Sequence, residues 1–373
     1  YPLQEKTALF WHGHFATNED KIRDYRKLLK QLELFQRKGL GNFRTLLIGV
    51  AQDPAMLAFL DAGVNVKDSP NENFAREIME LFTMGVGNYS ERDIREAARA
   101  FTGWNSENLD FVVNVALHDD GPKTFLGRTG NFDGVDVLRI ILEQPVTAEY
   151  IATKLYRFFV RDDVSPALTA ELGAVLRDND YELRPLLTTI FRSRDFYSEA
   201  SYGAHIKGPV EHVITMLKQL GAEDVPGVPD FNSTTIALGQ HLLNPPSVAG
   251  WAQGRSWITP ALLQGRGNVA FDYLFPDVIA FRDPNFLSRA AGDGIVGDDG
   301  SAKVQQAVDD ADRERVTHVV GTRLEGEAED GDAGAVDIGV GLQIVHGAAQ
   351  APGPGADGAP LVRGGPVLAL FVE

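Results

Sequence analysis

Between Ser69 and Trp104 the chain reads SPNENFAREIMELFTMGVGNYSERDIREAARAFTGW, two stretches of helical periodicity separated by glycines. Phe74, Ile78, Leu81 and Phe82 fall at i, i+4, i+7 and i+8. Ile94, Ala97, Ala98 and Phe101 fall at i, i+3, i+4 and i+7, so each predicted helix presents one apolar face. Ser69, Pro70 and Glu72 fit the N-cap, N1 and N3 positions of a capping box, and Ser90 and Asp93 repeat the arrangement. In both, a hydroxyl and a carboxylate satisfy N–H groups that the first turn of a helix leaves open. Gly85, Gly87 and Gly103 supply the stops.

The pattern extends in both directions. Thr17 or Asn18 caps a helix whose Ile22, Tyr25, Leu28, Leu29, Leu32 and Phe35 form one stripe, ended by Gly39 and Gly41. Asp53-Pro54, Ser165-Pro166, Gly208-Pro209 and Thr259-Pro260 mark further helix starts. Only residues 111–126 break the rule, since FVVNVAL and KTFLG flank HDDGP, a turn-rich centre suited to a β-hairpin. The expected fold class is mainly α: a multi-helix globular domain over residues 1–286 with one small β-hairpin.

A hydrophobic content of 44% over 373 residues suffices for a sizeable core, in one large or two ordinary domains. The formal charge of −17, with no run of basic residues, excludes nucleic acid as the expected partner. No window reaches the roughly 20 apolar residues of an integral membrane segment, and YPLQEKTALFW has neither the basic start nor the cleavage site of a signal peptide. Zero cysteines exclude disulfides and thiolate sites. From Leu287 to Leu370 there is no Phe, Tyr or Trp, and Gly, Ala, Asp and Val dominate. This Gly/Ala/Asp-rich tail, 287–373, has two readings that stay open: a flexible segment unable to offset its ordering entropy, or a stretch read out of frame.

Five groups of residues could carry chemistry. His12 and His14 in WHGHF are candidate metal ligands, although i and i+2 point about 200° apart on a regular helix, and both reach one ion only if Gly13 distorts the backbone. Glu77 and Glu80 share a helix face and are candidate acid/base groups, with Arg76, Arg95 and Arg99 able to neutralise them in a buried network. His118, Asp119 and Lys123 bring an imidazole, a carboxylate and an amine together at the expected hairpin turn, where Asp119, Asp120 and Gly121 also make an ordinary turn. Arg95, Arg99 and Lys123 are also candidate substrate-binding cations. Trp251 and Trp257, in NPPSVAGWAQGRSW, either stack on a ligand or pin a long loop into the core. No nucleophile elbow, phosphate loop or dinucleotide fingerprint occurs.

Six ordered blocks give the chain a resemblance. Beside the 69–104 stretch they are FWHGHFAT (10–17), HDDGPKTFLGRTGNFDG (118–134), KLYRFFV (154–160), KGPVEHV (207–213) and NPPSVAGWAQGRSW (244–257). Together they resemble the bacterial family catalogued as domain of unknown function 1800. The resemblance implies a shared fold, export to the periplasm or beyond, and a further helical region before the FWHGHF block, so that this chain begins inside the domain. It also implies that a protein partner is encoded nearby, and it supplies no established activity. The resulting expectation is an uncharacterised exported protein with a polar cleft of His12, His14, Glu77, Glu80 and His118. That cleft would bind a divalent metal ion and act as a metal-dependent hydrolase. The alternative is a non-enzymatic binding or assembly protein acting with a neighbouring gene's product.

Overall fold

A computed structural model describes residues 2–221 and 231–274. The boundary at 286 and the tail 287–373 lie outside the described residues. The expectation of a mainly α fold is met: among the described residues are fourteen α-helices and only two small antiparallel strand pairs.

Helix α1 (Pro2–His14) runs regularly through Gly13. The stripe expected to form one helix forms two, α2 (Glu19–Ile22) and α3 (Tyr25–Lys38). The break has a local cause. Asn18 and Asp24 each accept a backbone N–H as N-caps, and Arg23 between them adopts the left-handed conformation at φ 52°. Asn42 caps α4 (Phe43–Ala51), and Asp53 caps α5 (Pro54–Phe59) through Ala55 and Met56 at 3.0 and 3.1 Å. Asp53 is buried and also receives Gln31, which in turn accepts from Thr17, so a buried polar chain ties three segments together.

The opening stretch differs from expectation at its start. Ser69 is exposed in a turn and caps nothing; α6 begins only at Asn73 and runs to Glu77. The buried side chain of Asn65 explains this. It accepts from the Asn71 backbone and donates to the Ala98 carbonyl, holding the chain around Ser69 as a loop. Helix α6 then widens into a π-helical turn, Ile78–Thr83, in which Met84 N–H reaches Met79 O across five residues at 2.9 Å. Ser90 and Asp93 form the expected capping box of α7 (Glu91–Ala100).

Two hairpins flank HDDGP, in place of one hairpin turning on it. Strands β1 (Trp104–Glu107) and β2 (Asp110–Val113) pair with Trp104 opposite Val113; β3 (Lys123–Phe125) and β4 (Arg128–Gly130) pair with Lys123 opposite Gly130. Leu126 and Gly127 both take positive φ, the geometry of a tight hairpin turn. Helices α8 (Gly134–Leu142), α9 (Pro145–Phe159), α10 (Pro166–Asp178) and α11 (Leu183–Arg192) follow. Gly173 lets α9 and α10 approach closely, since a Cβ there would sit 3.0 Å from the Glu149 backbone.

The core is aromatic: Trp11, Phe15, Phe35, Phe43, Phe74, Phe82 and Phe101 are all buried in one cluster. Each such side chain contributes on the order of 2–3 kcal/mol through burial. A smaller cluster of Val213, Leu238 and Tyr273 joins α12 (Pro209–Leu220), α13 (Phe231–Ala237) and α14 (Pro260–Leu274).

Candidate functional site

The loop from Gln240 to Trp257 is fastened onto the end of α1. Leu243 N–H donates to His12 Nε2 at 3.0 Å, Glu19 N–H donates to Leu243 O at 2.9 Å, and Asn244 donates to Asp20 at 2.8 Å. Gly250 then lets the loop backbone meet that of Gly13, against which the Trp251 ring packs. The result is a cleft of about 360 Å³ between α1, α9 and the loop. His14, Lys154, Arg157 and Asp162 supply its polar lining; Phe10 and Trp251 are its apolar walls. It continues into a narrower crevice bordered by His205, Glu211, Gln240 and Trp257.

At one end, the π turn meets α1 and α9. Its Phe82 carbonyl can only accept, so His14 Nε2 carries the hydrogen of that 3.0 Å bond. Nδ1 is therefore a lone pair, and Lys154 Nζ lies 3.4 Å from it. Tyr150 donates to Leu81 O at 2.9 Å and places its ring 4.9 Å beneath the Lys154 ammonium. Burial, then the Lys154 charge, hold His14 well below the usual imidazole range. Burial, then repulsion from Arg157, bring Lys154 down to about 8. Neither Lys154 nor Arg157 has a carboxylate at ion-pair distance among the described residues. The buried indole N–H of Trp251 likewise has no acceptor there.

The other end is closed by charge. Glu211 pairs with Lys6 at 2.8 Å and with His205 at 3.2 Å, and accepts the Gly208 N–H at 3.0 Å, stabilising the first turn of α12. Burial pushes its carboxyl up, but His205 and Lys6 outweigh it and hold Glu211 at about 2.

The residues singled out in the sequence distribute over three places. His14, Trp251 and Trp257 line the cleft and its crevice, while His12 does not reach it and packs edge-on against Trp251; His12 Nε2 is occupied by Leu243 and His14 by Phe82 and Lys154. Glu77 ends α6 and Glu80 lies in the π turn itself, where it accepts from Tyr89 at 2.8 Å, and burial followed by the Glu80 charge raises Glu77. The expected network with the arginines is not the one formed. Arg76 pairs instead with Glu72 and Glu91, Arg99 with Glu96 and Asp119, and Arg95 is exposed.

His118 and Lys123 lie elsewhere, in the connection that leads into β3 and at its first residue, where the polar groups satisfy one another. His118 donates to Thr102 O at 2.9 Å, and Arg99 grips Asp119 with two nitrogens at 2.7 and 3.2 Å. Lys123 is buried on the carbonyls of Asp119 and Gly121 at 2.5 and 3.0 Å. Among the described residues no three His, Cys, Asp or Glu side chains gather as a metal-binding group. Lys154, Tyr150 and Arg157 were not singled out. Lys154 and Arg157 lie in the KLYRFFV block, whose basic and aromatic run is their signal, and Tyr150 stands one helical turn before Lys154.

These features define a helical domain with one polar cleft at the junction of its first helix, its ninth and a pinned tryptophan loop. The chain belongs to the protein family of unknown function DUF1800, whose family model matches residues 1–336, a span that runs past the 286 boundary expected from composition. No curated protein and no solved structure matches the chain.

Proposed function

We propose that this is a binding protein for a small anionic ligand, working outside the cytoplasm, with the cleft between α1, α9 and the Trp251 loop as its site. The observation that carries the reading is Lys154: a largely desolvated ammonium, beside a second cation, with no carboxylate partner among the described residues. A buried charge without a counter-charge costs several kcal/mol, and an incoming anion recovers part of that cost. The volume, about 360 Å³, lies within the range of small-molecule pockets.

Thermal unfolding in acetate, phosphate or pyruvate at constant ionic strength tests this. A saturating anion should raise the midpoint by several degrees, and Lys154→Met should abolish the response. An unchanged midpoint in all three anions, or a Lys154→Met variant that responds like the wild type, would overturn it.

A second reading, the metal-dependent hydrolase, is favoured by Glu77 and Glu80. Neither carboxylate is ion-paired among the described residues, and their repulsion contributes to raising Glu77, which a divalent cation would relieve. Titration with zinc, manganese and calcium distinguishes the two: stoichiometric binding lost in Glu80→Gln supports the metal, and wild-type affinity in that variant removes it.

A further inference from the structure

We infer that Lys154 is a point of covalent attachment, its amine condensing with the carbonyl carbon of a small oxo acid to form an imine. The inference rests on the anion-binding reading above and names the ligand class for that site. Lys154 Nζ lines the cleft and stands 3.4 Å from the His14 Nδ1 lone pair, whose orientation is fixed because Nε2–H is held by Phe82 O. Arg157, three residues further along α9, lines the same cleft and is free of ion pairs among the described residues, so it can hold the ligand's carboxylate. Phe10 and Trp251 offer apolar walls to a short carbon chain.

The amine is suited to attack because its surroundings disfavour the ammonium form. Around Nζ are an aromatic ring and a neutral imidazole, and burial holds the group at about 8. In the step, the nitrogen lone pair forms a bond to the carbonyl carbon while the carbonyl π electrons move to oxygen. His14 Nδ1 relays one proton from nitrogen to the alkoxide oxygen, giving the neutral carbinolamine, and then relays the second nitrogen proton to its hydroxyl. The C–O bond then breaks, water leaves and the C=N bond forms, with no change in oxidation state.

The test is trapping with pyruvate and cyanoborohydride, which reduces the imine to a stable carboxyethyl adduct, read by intact mass and peptide mapping. At pH 7 an amine near 8 is neutral roughly 200-fold more often than an ordinary lysine. Labelling at Lys154 should therefore exceed the mean of the other lysines by at least about tenfold, rise with pH and level off above about 8. Lys154→Arg, which keeps the charge, should retain the pyruvate-induced shift in unfolding midpoint and lose only the preferential adduct. Even labelling of all lysines, or no adduct at Lys154 while pyruvate still stabilises the protein, overturns the imine and leaves the anion site standing. If pyruvate, acetate and phosphate all fail to stabilise and no adduct forms, both readings fall together.

Discussion

A Cβ on Gly250 would lie 2.0 Å from the carbonyl oxygen of Gly13. Gly250 also holds φ +81°, so two independent constraints require glycine at the point where the tryptophan loop crosses α1. Gly250→Ala should cost about 3 kcal/mol or more, because the obstructing atom is backbone and cannot rotate away. Gly87→Ala is the matched control: φ is +87° with open space around it, so only the conformational cost of about 1 kcal/mol remains. Urea titrations would compare them, with Trp fluorescence reporting whether Trp251 leaves its site. Equal costs for the two variants would mean that the loop is not fastened at Gly250.

His12 should make the fold acid-sensitive. Burial lowers it from the ordinary 6.5 to about 4 in the folded protein. Between those values the unfolded chain binds a proton and the folded chain does not, so stability falls as pH falls from about 6.5 to about 4. That shift corresponds to about 3 kcal/mol, and His14, held low by burial, acts in the same direction. Asp53 opposes both. Burial raises it from 3.8 to about 6, so between those values the folded chain binds the extra proton and this group adds stability as pH falls. The His12 contribution is therefore isolated by His12→Gln, whose deficit against wild type should be larger at pH 7 than at pH 4.5. Parallel stability curves for the two proteins would contradict the assignment.

Tyr150→Phe should loosen the π turn at modest overall cost. The hydroxyl is the donor to Leu81 O, and losing it leaves that carbonyl short of a partner, worth about 1–2 kcal/mol. Hydrogen exchange at Met84 and Gly85, whose N–H groups both bond to Met79 O, should accelerate more than exchange in α9. Uniform acceleration across the domain would show that the π turn has no local dependence on Tyr150.

Local chemistry accounts for what was legible in the sequence. The Asp53-Pro54, Ser90/Asp93 and Ser165-Pro166 helix starts depend on neighbours within a few residues, and all three form as read. Ser69 followed the same rule and lost to Asn65, whose side chain captures Asn71 and Ala98; that competition runs through a tertiary contact that no local pattern carries. The cleft is hidden for the same reason. Lys154 on an aromatic helix reads as a stem lying on the surface with its charge in water. In the fold it is partly buried beside His14 and Tyr150, in a cleft that Trp251, from a loop distant in sequence, also lines. Gly13, between the two histidines, reads as the place where the backbone would have to distort for both to reach one metal. In the fold it is undistorted helix, and what it offers is its backbone carbonyl, on which Gly250 closes, with the Trp251 ring packed alongside.

The three polar positions of the opening stretch should separate cleanly. Ser90→Ala removes a hydroxyl that accepts the Asp93 N–H and whose carboxylate partner reaches back to the Ser90 N–H, so the loss should be about 1 kcal/mol. Ser69→Ala, exposed and capping nothing, should fall within about 0.5 kcal/mol of wild type. Glu80→Gln also belongs with the small effects. Its partner is the neutral Tyr89 hydroxyl at 2.8 Å, for which an amide oxygen can substitute, and removing the charge relieves the repulsion that helps raise Glu77. A change of less than about 1 kcal/mol is expected in a denaturant titration. A loss of 3 kcal/mol or more would instead require a buried cation left uncompensated beside Glu80. That outcome would restore the arginine network in place of the tyrosine contact.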